Sequence, residues 1–138
     1  MAHPENRQLL RLELRHAESL GATRDGKRIS LCRQATDSVV MREIGRLREI
    51  AFRSVGEGSG ERRDVDRFDA RYEHIVLWDD NDLEIVGAYR LAPAGATLAA
   101  HGDGALYTQS LFEFAPAMDA IWPEAVELGR SFVQPRYW

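Results

Sequence analysis

The chain has 138 residues, 44% hydrophobic and 29% charged, the composition of one ordinary soluble domain and not of a disordered, collagen-like or membrane-embedded chain. Its net charge of -4 excludes a chain-wide field that attracts nucleic acid, so any anionic partner has to be met locally. Lys27 is the single lysine and every other basic residue is arginine, the side chain suited to bidentate recognition of carboxylates and phosphates. The lone Cys32 and the scattered His3, His16, His74 and His101 offer neither a disulfide nor a zinc-ligand spacing, so no metal is expected and a reducing, cytoplasmic setting fits. The first thirty residues carry Glu5, Arg7, Arg11, Glu13, Arg15 and Glu18 without an apolar core, and no run of eighteen apolar residues occurs.

Leu10, Leu14 and Ala17 recur at helical spacing and predict a helix from about Gln8 to Leu20, ended by Gly21. Arg7, Arg11 and Arg15 form a stripe on that helix, which permits peripheral contact with an anionic inner membrane but is diluted by Glu5, Glu13 and Glu18. After the Asp25-Gly26 turn, alternation of Ile29 and Leu31 with Ser30 and Cys32 predicts a half-buried strand over 28–33. Thr36, Asp37 and Ser38 offer an N-cap before a helix that places Val40, Ile44, Leu47 and Ala51 on one face and Arg42, Glu43, Arg46 and Glu49 on the other.

Three glycines within Val55–Glu61 predict a flexible loop, which lacks the Lys-Ser/Thr of a phosphate loop. Tyr72–Trp78 and Leu83–Leu91, joined by Asp79-Asp80-Asn81-Asp82, read as a β-hairpin, with Trp78 packing at an edge. Pro93–Gly104 reads as a connection, Leu106–Phe114 as a short aromatic stretch and Pro116–Trp122 as a helix. Ala125–Val133 is strand-like and is stopped by Pro135. Phe112, Phe114, Trp122 and Phe132 are expected mainly in the core, with part of their ring surface free to line a channel.

The motifs REIGRLREIAFRSVGEG, DVDRFDARYEHIVLWD, IVGAYRL, LYTQSLFEF and ELGRSFVQPRYW together resemble the GNAT-like N-acyltransferases that include ornithine-lipid acyltransferases and a group named as hemolysins. More distantly they are similar to acyl-homoserine-lactone synthases. The resemblance covers about 28–138 and implies an α/β (α+β) fold, the first half of a mixed, largely antiparallel GNAT sheet with flanking helices. Residues 1–27 are expected as an N-terminal helix and turn, and the chain is expected to stop after the fourth strand of that domain. The resemblance implies an acyl thioester of acyl carrier protein, or of coenzyme A, as donor substrate, no tightly bound cofactor, and an amine such as ornithine as acceptor.

Position by position, the resemblance assigns Arg48, Phe52, Asp66, Asp69 and Arg90 to substrate binding and Glu127 and Arg130 to catalysis. The tryptophan typical of lactone synthases after the long helix is missing, with Gly56–Gly60 in its place. Holding an amine of pKa near 10.4 deprotonated at pH 7 costs about 4.6 kcal/mol, which makes Glu127 the first candidate for the base, with a buried Glu127–Arg130 ion pair as the structural alternative. Three apart on a regular strand, these two point to opposite faces, so Gly129 has to mark a bulge if they share a site. The charges of Arg48, Arg90 and Arg130 balance those of Asp66, Asp69 and Glu127 in one expected cluster. Exposed arginines among Arg42, Arg46, Arg53, Arg62 and Arg63 are expected to steer an acidic carrier protein. Two alternatives stand beside acyl transfer: a catalytically incomplete half-domain that self-associates through its terminal strand, and lactone synthesis from S-adenosylmethionine.

Overall fold

Two helices laid on one face of an antiparallel sheet organise the molecule, as seen in a computed structural model that describes residues 1–33 and 37–138. Five strands run in sequence order: β1 (Glu18–Ala22), β2 (Arg28–Cys32), β3 (Glu73–Asp79), β4 (Glu84–Pro93) and β5 (Val126–Val133). Helices α1 (Arg7–Arg15) and α2 (Val39–Ser54) precede β1 and β3, and α3 (Ala94–His101) follows β4. The mixed α/β class and the β3–β4 hairpin agree with the sequence reading.

Burial explains the helix pairing. Leu10 and Leu14 of α1 and Val40, Ile44, Leu47 and Ala51 of α2 join Val76, Trp78, Ile85, Ala88 and Phe132 of the sheet in one core. Each fully buried aliphatic side chain in it contributes about 1.5–3 kcal/mol. Asn6 caps α1 by accepting from the Gln8 and Leu9 amides. Ser38 caps α2 at Met41, while the Glu13 carboxylate of α1 accepts from Val39 and Val40, so one helix satisfies the open amides of the next. Thr36, the first residue of the expected cap, lies outside the described residues.

Several expectations are corrected. The first helix stops at Arg15, and Glu18–Ala22 is a strand paired with β2, because Gly21 at φ 125 and the turn at 23–27 return the chain antiparallel onto Arg28–Leu31. The sheet therefore has five strands, with the final one fifth. Pro93–Gly104 contains α3, an alanine-rich helix that ends where Gly102 adopts φ 78. Pro116–Trp122 forms two 3-10 turns, Pro116–Ala120 and Trp122–Glu124, because the proline at 123 removes an amide that an α-helix needs.

Burial also differs from the pattern in places. Trp78 is fully buried in the core, its indole donating to Asp80. Phe112 and Phe114 are exposed, stacked edge-on in a row with Trp122. Glu43 and Glu49, read as solvent-facing, are buried because Arg46 and Arg53 cover them. Glu49 also accepts from the Ser59 amide and hydroxyl and the Gly60 amide, so it ties the glycine-rich loop to α2. Burial pushes its carboxyl up, but these hydrogen bonds and that from Arg53 outweigh it and bring the pKa down to about 2.

β4 and β5 approach closely at Gly87, where an added Cβ would lie 2.5 Å from the Phe132 carbonyl oxygen. Gly87→Val is expected to cost about 1–3 kcal/mol by forcing β5 outward, read as a lower urea midpoint with an unchanged slope.

Candidate functional site

β5 carries the irregularity that the Glu127–Arg130 spacing requires. Between the pairs Ala88↔Phe132 and Arg90↔Gly129, β4 advances by two residues and β5 by three, a bulge centred on Arg130 and Ser131. Arg130 has φ 50, the left-handed region, at a residue other than glycine. The extra residue turns Arg130 toward α2 and the 61–72 loop.

There Arg130 meets a cluster of ion pairs. Arg48 of α2 is 1% exposed and donates to both oxygens of Asp69, at 2.9 and 2.7 Å, and to the Asp64 carbonyl. Arg90 of β4, also 1% exposed, donates to Asp66 at 2.6 Å and Asp69 at 3.2 Å. Arg130 lies 3.3 Å from Asp64 and 3.7 Å from Asp66. Three guanidinium groups thus face three carboxylates, the arrangement that buried charge demands. Burial pushes the Asp69 carboxyl up, but hydrogen bonds from His74 and Arg48 dominate and hold it far below the usual carboxylate range.

The predicted residues Arg48, Asp66, Asp69, Arg90 and Arg130 are brought together, and Phe52 joins them with its ring 5.9 Å from the Arg130 guanidinium. The sixth charge differs from expectation: Asp64 takes the place assigned to Glu127. Glu127 and Arg130 form no ion pair, because Arg130 is drawn to Asp64 and Asp66 while Glu127 lies in a second network. One oxygen of Glu127 accepts from the Tyr72 hydroxyl and the Tyr107 amide, the other from the Thr108 amide and hydroxyl. This carboxylate pins the Tyr107–Ser110 turn to β5.

The turn sets Tyr107 between two cations, with the Arg90 and Arg130 guanidinium carbons 5.1 and 5.6 Å from its ring centroid. Arg90 Nη2 and Arg130 Nε have no hydrogen-bond partner among the described residues. Arg90 also lies 5.2 Å from the Tyr72 ring, so π faces supply what oxygen acceptors do not. Tyr72, Tyr107, Thr108, His74 and Asp64 were not singled out from sequence. Only Asp64 left a readable signal there, as the first acid of Asp64-x-Asp66-x-x-Asp69.

Other assignments change with geometry. Arg42, Arg46, Arg53 and Arg63, expected to be free for an acidic partner, are engaged by Glu5 and Asp37, Glu43, Glu49 and Glu5 respectively. Cys32 is a half-buried thiol, and burial pushes its pKa up to about 12, away from the range of a reactive cysteine. Among the described residues no cluster has the composition of a metal site, and no helix is long and apolar enough to cross a membrane.

Arg48→Ala is expected to cost about 3 kcal/mol, since it leaves Asp69 buried with half its partners, and thermal unfolding will show it. The contribution of Asp69 is present above its unfolded pKa near 3.9 and is lost as pH falls toward its lower folded value. Acid titration of stability is therefore expected to be shallower in Asp69→Asn than in the parent below about pH 4.

Residues 47–138 match the family model described as acetyltransferase (GNAT) domain. Two curated relatives, each named glycine N(alpha)-acyltransferase, come from Bacteroides thetaiotaomicron and Phocaeicola vulgatus. Both are 36% identical over 140 aligned positions that take in 97% of this chain. The chain spans 42% and 43% of their lengths. No solved structure matches it significantly. With a family match across most of its length, and with a five-stranded antiparallel sheet flanked by helices, the chain belongs to the GNAT acetyltransferase domain family.

Proposed function

We propose that this domain serves N-acyl transfer, with an acyl thioester laid along β5 and an amine brought to it from the face that carries Arg130. The observation that supports this most is the bulge at Arg130. A bulge interrupts the ladder and frees backbone amides of the bulged strand, and such amides can hold a thioester carbonyl as negative charge develops on its oxygen.

The amine nitrogen attacks the carbonyl carbon, the C–N bond forms, and the C–S bond breaks. The electron pair leaves with sulfur, and the proton lost by the amine ends on the departing thiolate, giving an amide and a thiol. Glu127, with both oxygens occupied by four donors, acts here by holding the Tyr107 turn against β5. Arg48, Asp64, Asp69 and Arg90 form the scaffold that aims Arg130. The side chain of Arg130 is 28% exposed, which leaves it able to meet the carboxylate of an amino acid acceptor. Family membership points to acyl-coenzyme A as donor, and acyl carrier protein is the second candidate, for which Arg62 of the expected set is exposed and forms no ion pair among the described residues.

The relatives, each named glycine N(alpha)-acyltransferase, favour glycine as acceptor. A second reading, ornithine, draws on Asp66, whose side chain is 26% exposed and whose Oδ2 lies 3.7 Å from Arg130. There a second ammonium would find a carboxylate beside the cation that holds the acid group.

Acyl transfer from palmitoyl-coenzyme A and palmitoyl-carrier protein to glycine and to ornithine tests this reading, using the 138-residue chain beside a polypeptide of the relatives' full length. An N-acyl amino acid is the expected product, with Arg130→Met reducing turnover about 100-fold. Folded proteins that give no amide product with either acceptor overturn it.

A further inference from the structure

Helix α1 is apolar on two sides. Leu10 and Leu14 enter the core, each 2% exposed, while Leu9 and Leu12 stand in solvent at 50% and 53% exposure. At about 100° per residue, Leu12 lies opposite the midpoint of Leu10 and Leu14 and so occupies the outermost point of the helix. Gln8, Leu9, Arg15 and the C-cap residue His16 surround it and are exposed. A surface helix with one buried stripe keeps this outer face polar, so leucine at its centre calls for a partner.

In sequence, Glu5, Glu13 and Glu18 dilute the arginine stripe of this helix; in the fold each of these acids is taken up elsewhere. Glu5 accepts from Arg42 and Arg63. Glu13 accepts from Ser38, Val39 and Val40 at the start of α2. Glu18 holds Arg33 at 2.7 Å. Of the stripe itself, Arg7 is drawn to Glu84 of β4. Arg11 and Arg15 pair with no carboxylate among the described residues, and Gln34, Ala35 and Thr36 are not acids. The other exposed apolar group, Leu111, Phe112, Phe114 and Ile121, has the opposite electrostatics: Glu113, Asp119 and Glu124 lie among and beside these residues, and no lysine or arginine occurs between Arg90 and Arg130.

From this arrangement we infer that the outer face of α1 docks on an anionic lipid surface. The helix lies in the plane of the interface, with Leu9 and Leu12 below the lipid phosphates and Arg11 and Arg15 level with them. An arginine lays its apolar stem along the leucines and turns its fork to a phosphate. Charge and hydropathy together select this occupant: the unpaired arginines call for anions, and the leucine at the outermost point calls for an apolar medium directly beneath those anions, which a lipid leaflet supplies. With nine residues and two arginines, the attachment is weak and reversible. The contact is independent of the acyl transfer proposed above, so either can fail alone.

Sedimentation of the 138-residue chain with sucrose-loaded vesicles tests this, using phosphatidylcholine alone and phosphatidylcholine in which a third of the lipid is phosphatidylglycerol. Binding to the anionic vesicles is expected in low salt, about 10-fold weaker to the neutral ones, and falling as salt is raised. The double variants Arg11→Gln/Arg15→Gln and Leu9→Gln/Leu12→Gln are each expected to weaken binding about 10-fold at the parent's melting temperature, whereas Leu111→Ser/Phe112→Ser binds as the parent does. Equal binding to the two kinds of vesicle, parent-like binding by either α1 variant, or no binding at all overturns the inference. Soluble acyl carrier protein, offered in place of vesicles, is expected to bind the parent and Arg11→Gln/Arg15→Gln alike; its selective loss in that variant would assign the face to an acidic protein and likewise overturn the lipid contact.

Discussion

Arg48 is the constraint on which the rest of the structure turns. A guanidinium at 1% exposure cannot remain in a helix face unless carboxylates are brought to it, and the chain brings them on the 61–72 loop. That loop begins just beyond Ser59 and Gly60, whose bonds to a second buried acid, Glu49 of α2, turn the chain back along the helix. Charge placement, more than apolar contact, sets the path from α2 to β3.

The same cluster reaches the sheet from two sides. Arg90 on β4 shares Asp69 with Arg48, and Arg130 on β5 reaches Asp64 and Asp66 only because the bulge turns it inward. Backbone irregularity and ion pairing therefore support one another: the left-handed conformation at Arg130 is unfavourable for a side chain of that size, and the paired carboxylates offset it. Glu127 does complementary work three residues earlier on β5, where it accepts from four donors and so holds Tyr107 between the Arg90 and Arg130 guanidinium groups. A cluster assembled in this way ties α2, the 61–72 loop, β4 and β5 together.

Much of this architecture was legible in the residues. Ile29 and Leu31 announced β2 by alternation, Val40 to Ala51 announced α2 by periodicity, and the hairpin announced itself through its acidic turn, because each pattern reflects a local preference reinforced by burial on the same face. Where local preference and tertiary context diverged, the reading failed. Ala17 and Leu20 continue a helical spacing, yet that segment pairs with β2, since the return at Gly21 offers the backbone a strand partner that isolated periodicity cannot reveal. Ala94–His101 hid its helix in a stretch whose glycines and proline suggested a connection.

The candidate site divides along the same line. By itself the sequence determined the family, the strand and helix order of the central region, and the set of charged residues that had to balance, because motif spacing and charge count are properties of the chain alone. Only the tertiary structure decided the partners: Asp64 in place of Glu127 beside Arg130, Glu127 on the Tyr107 turn, and His74 on Asp69. The reason is physical. A carboxylate's partner is whichever donor the fold carries within about 3 Å, and a one-residue bulge is enough to exchange one donor for another.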